Sequence, residues 1–400
     1  MQITINSKKA SSLFLNGTFY ETNKPLEVSF SEALRLSRIA ATDLESTIQA
    51  YNPDLFNKEK RFALLADIDS FSGWGNAGIG LIKYSTPKYD ISQIGRLHDV
   101  TDGAILRAAK NTLDPHMGLV IHEQPKYEWI SSPFERKIAI VPFETTRCPA
   151  SWVSRINACH ALFVPCKQNI DCFRDSGVTV PIELIHWGID GSKFHEVEKM
   201  SGRPFTFGTM GALSNRKGTD ILMDAFVRAF PTEKDVQLIC KTSNYNFIGA
   251  VKDKRVKIDL TPVTHDELMQ GFFRQVDCFV FPTRGEGFGF TPLEAMACGI
   301  PAMVTGWSGP ADFMNEEVGW SIEHKMVPAK DFSENVYRED CGDWAEPNVD
   351  HLIALMRHAY KNQDEVRAKG KVAAEYVKNN WQWSQQIHLF HEAIEKHLSK

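Results

Sequence analysis

Short apolar runs alternate along the chain with segments of helical period. Arg61–Asp69, Tyr89–Ile94, Met117–His122, Lys137–Pro142 and Ala161–Pro165 are β-rich and read as buried strands. Between them Gly103–Leu113, Ala150–Cys159 and Lys167–Ser176 read as helices. That alternation predicts right-handed βαβ units and a parallel sheet. After one more strand in Pro181–Asp190, the polar stretch Gly191–Arg203 carries no apolar period and reads as a linker. The alternation then restarts with strands at Pro204–Met210, Val236–Cys240, Val256–Leu260, Asp277–Pro282 and Ile300–Thr305. In this half Ile221, Leu222, Ala225, Phe226, Ala229 and Phe230 share one helical face. Residues 320–350 are polar and read as irregular, ahead of a helix over Leu352–Tyr360. The predicted architecture is α/β with two Rossmann-like domains, 61–192 and 203–380.

Residues 1–60 fit neither pattern and read as an accessory segment. Leu13–Tyr20 predicts a hairpin turning at Asn16-Gly17, and Ser29–Tyr51 has a helical pattern. Composition narrows the function. An apolar fraction of 43% suffices for two cores, and a net charge of −5 argues against a nucleic-acid partner. No run approaches the roughly 18 apolar residues of a membrane span, and the N-terminus lacks the apolar core of a signal peptide. A cytoplasmic enzyme is the expectation, with peripheral membrane contact and oligomeric state left open. The eight cysteines form no C-x-x-C pair and match no standard zinc spacing, so reduced and mostly buried thiols are expected.

The most informative stretch is Phe281–Pro310, FPTRGEGFGFTPLEAMACGIPAMVTGWSGP. A strand end meets a glycine-dense loop, Arg284–Gly289, and then a helix start. Thr291 fits the N-cap, Pro292 the first helical position, and Glu294 the capping-box glutamate; Gly299 fits the helix end. Free N–H groups and the helix dipole make such a loop attractive to anions. Two carboxylates, Glu286 and Glu294, stand in it with seven residues between them. A ligand carrying both phosphate and hydroxyl groups would satisfy cationic and acidic features together. Glu294 as a plain capping residue is the competing reading.

This stretch resembles the Glu-x7-Glu signature of family-4 type retaining glycosyltransferases, which have the GT-B fold; the likeness covers roughly residues 61–400. The resemblance implies two facing Rossmann-like domains, with residues 381–400 crossing back onto the first. It implies that Glu286 faces a donor sugar and Glu294 a ribose. Gly287, Phe288, Gly289, Phe290 and Thr291 would lie on the diphosphate, and the Thr261–Val263 backbone (Thr261 and Val263 in particular) on the nucleobase. Gly211–Gly218 resembles the phosphate-gripping loop, in which Lys217 matches the lysine and Ala212 stands where an arginine belongs. Arg216, Lys241 and Arg284 are candidates to supply the missing charge.

In the first domain, Ser72–Gly80 reads as a glycine loop at the first strand–helix crossing, with Gly78 and Gly80 bordering the crevice. His122 and Glu144 stand at strand ends. Glu144 occupies the place where the family commonly has a histidine that contacts the donor sugar; an ion pair with Arg147 is its other reading. The expected catalytic group is thus Glu286, Lys217, Glu144 and His122. The expected reaction is metal-independent, retaining transfer from a UDP-, GDP- or ADP-sugar to a hydroxyl acceptor, with no bound cofactor. A non-catalytic nucleotide-sugar-binding scaffold and a sugar-nucleotide epimerase of the same fold are the alternatives.

Overall fold

The computed structural model describes residues 60–398 other than 71, 112, 114–116 and 243–252, and within residues 1–59 the backbone of five strands. Two of those, Ser12–Leu15 and Thr18–Glu21, pair antiparallel across Asn16-Gly17, which is the predicted hairpin. The helix expected over Ser29–Tyr51 is not realised at its end, where Thr47–Ala50 is a strand paired with Gln2–Asn6. The rest of that prediction lies outside the described residues.

Each half of the remaining chain builds a six-stranded parallel sheet. The first runs, in spatial order, Ile182–Leu184, Ala161–Val164, Lys137–Ile140, Gly118–Ile121, Arg61–Leu65, Asp90–Ile94. The second runs Val256–Asp259, Val236–Lys241, Phe205–Met210, Cys278–Phe281, Ala302–Thr305, Gly319–Ile322. Most central strands are buried along their whole length, as sheets covered by helices on both faces require. Phe207, Phe226 and Phe230 anchor the core under the second sheet. The last helix, Trp383–Leu398, lies against the helix Gly73–Ser85 of the first half, and Phe390 packs edge-on to Phe62 and Phe163. All eight cysteines are free and buried.

Three local expectations are corrected. Ser72–Gly80 is not a loop: the helix begins at Gly73, and Ser72 caps it by accepting from the Gly75 N–H at 2.9 Å. Gly78 and Gly80 thus lie on a packed helix rather than in a loop. A Cβ on Gly78 would lie 2.4 Å from Ile68, and one on Gly80 2.0 Å from the Trp383 ring. Residues 320–350 are not irregular, because His324–Pro328 and Asp343–Pro347 pair as an antiparallel arm. Thr291 is not the N-cap of its helix. That helix spans Phe290–Ala297 and is entered through Gly289 in the left-handed region (φ 104°), with no side chain capping it.

Candidate functional site

The glycine loop leaves the end of the strand Cys278–Phe281 and runs against the first domain. A Cβ on Gly285 would sit 1.9 Å from the Glu144 carbonyl, and one on Gly287 2.3 Å from the Pro142 side chain. Only bare backbone fits there. The loops 142–144 and 285–287 therefore touch, and Glu144 of the first half comes to Glu286, Arg216 and Lys217 of the second.

At that place stands a cluster of four charges. Glu286 is 8% exposed and accepts from Arg216 Nη1 at 2.6 Å, Lys217 Nζ at 2.7 Å and Thr283 Oγ1 at 3.2 Å. Its own N–H donates to Ser308 Oγ at 3.0 Å, which fixes the loop. Burial pushes the Glu286 carboxyl up, but Arg216 and Lys217 outweigh it and hold the group below the usual carboxylate range. Glu144 lies on the far side of Arg216, 3.9 Å from Nη2, and burial raises it despite that cation, with Glu286 adding a like charge. Arg147, its alternative partner, pairs with Asp340 instead. Burial lowers the Lys217 ammonium against the opposing pull of Glu286.

The other two candidate cations are held elsewhere. Lys241 donates to Asp259 and to the Thr261 carbonyl. Arg284 is gripped by Asp220 at 3.0 Å and Glu346 at 2.6 Å. Of the three, Arg216 alone shares a carboxylate with Lys217. Thr261 and Val263 lie on the loop that follows Val256–Asp259, Val263 being exposed.

Glu294 stands one helical turn into Phe290–Ala297 and is 6% exposed. It borders a cleft between the halves, together with Asn76, Lys83, Asp190, Lys193 and Phe290. No cation bonds it; burial pushes its carboxyl up to about 7, with Lys193 pulling the other way. Since no side chain caps this helix, the capping-residue reading of Glu294 falls away. The Thr291 hydroxyl nearby is buried without a partner. Phe288 and Phe290 form the wall toward the first domain, Phe290 stacking on Trp187 with 5.6 Å between ring centres. Gly80 also borders the cleft, through its backbone.

His122 is buried between Trp74 and Trp187, 2.9 Å from the Trp74 carbonyl through Nε2. Burial lowers its pKa to about 4, so the ring is neutral, and Nδ1 has no partner. Sequence reasoning missed the arm residue Tyr337, which reaches the cluster from 320–350: its ring lies 5.5 Å from that of Phe143, beside Glu144. An aromatic residue inside a polar stretch was the only signal for it.

Among the described residues, no helix is long and apolar enough to cross a membrane. Residues 204–338 match the family described as Glycosyl transferases group 1. The chain is similar to the lipopolysaccharide core biosynthesis mannosyltransferase LpsB of Rhizobium meliloti, 32% identical over 32% of this chain and 41% of that protein. It is also similar to the GDP-mannose-dependent alpha-mannosyltransferase of Corynebacterium glutamicum, 24% identical over 59% of this chain and 55% of that one. It thus spans about half, or less, of the length of these relatives. Among solved structures, Anabaena HepE in complex with UDP and glucose superposes with a TM-score of 0.62 at 12% identity, over 84% of this chain and 100% of the other. Sucrose-phosphate synthase from Thermosynechococcus elongatus gives 0.61 at 15%, over 84% and 99%. The fold is GT-B, shared with these glycosyltransferases, and its second half carries the match to glycosyl transferases group 1.

Proposed function

We propose that the chain is a retaining glycosyltransferase that moves a sugar from a nucleoside-diphosphate donor to a hydroxyl acceptor without a metal. The observation that carries this reading is the pairing of two unlike carboxylates on one loop and helix: Glu286 clasped by two cations, and Glu294 buried at the cleft without one. A nucleoside-diphosphate sugar supplies what each lacks. Its diphosphate answers the cations and the uncapped helix start, and its ribose hydroxyls answer Glu294.

The energetic problem of the transfer is charge building on the departing diphosphate. Lys217 and Arg216 each give one hydrogen bond to the same Glu286 oxygen and retain further N–H groups for phosphate. Arg216 takes the part of the arginine replaced by Ala212. Together with the backbone N–H groups of the helix start, these donors stabilise negative charge where it forms. Glu286 orients the sugar, Glu294 the ribose, and Thr291 a phosphate oxygen. No side chain is assigned as nucleophile; the departing phosphate oxygen takes the proton of the acceptor. Neutral His122, wedged between tryptophans, shapes the wall of the site. The mannosyl names among the relatives make GDP-mannose the first donor to try.

The test is thermal stabilisation and slow hydrolysis with GDP-mannose, UDP-glucose and ADP-glucose, for the wild type and Glu294→Ala. The expected result is a response to one donor that the variant loses. Silence toward all three from folded protein would overturn the reading.

A further inference from the structure

The arm formed by residues 324–347 links the two halves of the molecule at the charged cluster. Its root is tied to the glycine loop: the Ala345 N–H donates to the Arg284 carbonyl at 3.0 Å, and Glu346 grips the Arg284 guanidinium. Its tip is tied to the first domain. The Thr146 N–H donates to the Asp343 carbonyl at 2.9 Å, and the Asp343 N–H donates to Thr146 Oγ1 at 2.8 Å. The Arg147 N–H donates to the Cys341 carbonyl at 3.2 Å, and the Ser151 N–H to Glu339 at 2.9 Å. Gly342, at φ 70°, comes so close that a Cβ would lie 2.4 Å from Thr146 Oγ1. The ties of the tip fall at Thr146, Arg147 and Ser151, just after Glu144, so the arm sets where that residue stands.

The arm also brings a side chain of its own. Tyr337 packs its ring on Phe143 at 5.5 Å, Trp152 at 5.4 Å and Phe332 at 5.4 Å. Burial, and then the charge of Glu144 close by, push its phenol up, so the hydroxyl keeps its proton at neutral pH. Glu144 is itself 21% exposed in its side chain, and its approach to Arg216 at 3.9 Å is too long for a hydrogen bond. The Tyr337 ring lies on Phe143, the residue before Glu144, and its phenol feels the Glu144 charge, so a group able to donate stands near one able to accept.

A sugar hydroxyl asks for that pair, since it carries one proton to give and lone pairs to receive. We propose that Tyr337 and Glu144 together bind one hydroxyl group of the transferred sugar, and that the arm is the element holding both in place. This deepens the reading of the cleft as a nucleotide-sugar site and rests on it. The transferred sugar, rather than the acceptor, is the partner because Arg216 stands between Glu144 and the Glu286–Lys217 pair, where the proposed function places the junction of sugar and diphosphate. A site built to hydrogen-bond a hydroxyl rejects the analogue that lacks it far more strongly than a merely snug apolar pocket does.

The experiment compares wild type and Tyr337→Phe on whichever of GDP-mannose, UDP-glucose and ADP-glucose is hydrolysed, and on its singly deoxygenated sugar analogues. Tyr337→Phe keeps the ring and its packing, and a thermal midpoint within about 2 °C of wild type would confirm an intact fold. For one analogue the wild type should lose about 100-fold in kcat/KM against the parent donor. Tyr337→Phe should lose about 10-fold on the parent and discriminate that same analogue only a few-fold. Identical analogue profiles in the two proteins would overturn the pairing while leaving the glycosyltransferase reading standing. A wild type that neither binds nor hydrolyses any of the three donors would overturn both.

Discussion

Glu286 and Glu294 belong to the same loop and helix and are almost equally buried, at 8% and 6% exposure, yet their surroundings drive them in opposite directions. Glu286 meets two cations and a hydroxyl, and its charge is part of what holds the cluster together. Glu294 meets no bonded cation, and burial alone lifts it to about 7. A buried, unpaired carboxylate costs stability, whereas a buried, paired one is held by its partners. The difference teaches which of the two the fold needs and which it merely tolerates. Glu286 is embedded in the architecture, while Glu294 is a local inconsistency of the kind that marks a binding site.

The comparison is broken most severely by removing the cations on the Glu286 side. Lys217→Ala should lower kcat for transfer or donor hydrolysis by roughly 1000-fold, as loss of a principal donor to developing charge does. Near-wild-type turnover would remove Lys217 from the chemistry. Arg216→Ala comes next, at roughly 100-fold, because Glu286 keeps Lys217 while Glu144 loses its nearest cation. Lys241→Ala is the control: its ammonium serves Asp259 and the Thr261 carbonyl, so kcat should change by less than about 5-fold while the thermal midpoint falls. Equal losses in Arg216→Ala and Lys241→Ala would undo the assignment of Arg216 as the replacement cation.

The two glycine-bearing segments show how far the sequence could be read. Arg284–Gly289 was legible because its glycines are tied to carboxylates, a following helix and a following strand in one continuous pattern. Ser72–Gly80 has a similar glycine density, but these glycines admit Ile68 and Trp383 against a helix. Neighbours more than 300 residues away, such as Trp383, leave no trace in a local window. The sheets were legible from apolar runs bounded by turns, since most of their central strands are buried along their length. The arm was not, because its first strand, His324–Pro328, is half-exposed and the arm's hydrophobic anchors, Phe332, Tyr337 and Trp344, join the core cluster of the other domain. The choice among Arg216, Lys241 and Arg284 depended on which carboxylate each one meets in space. Thr291 failed as an N-cap because Gly289 at positive φ starts the helix earlier than side-chain preference suggests.

The smallest effect sharpens the comparison from the Glu294 side. Its carboxyl is raised in the folded chain from an ordinary 4.5 to about 7. Below the ordinary value both folded and unfolded chains hold the proton, and the fold bears no penalty. As pH rises toward 7 the unfolded chain releases its proton first, so stability falls, and above about 7 the whole penalty is present. Glu294→Gln removes the titration and keeps the shape. The variant should therefore be more stable than wild type by about 3 kcal/mol at pH 8, with the gain shrinking toward zero near pH 4. Thermal unfolding of both proteins across that range checks it, and a gain that does not vary with pH would show that burial does not perturb this group. Nucleotide binding should move the other way. Ribose hydroxyls donate to the charged carboxylate, so donor affinity should fall as pH drops through 7 in wild type and stay flat in Glu294→Gln, at a level about 10-fold weaker. A side chain that weakens the empty fold and strengthens the bound one over the same pH range is retained for its ligand.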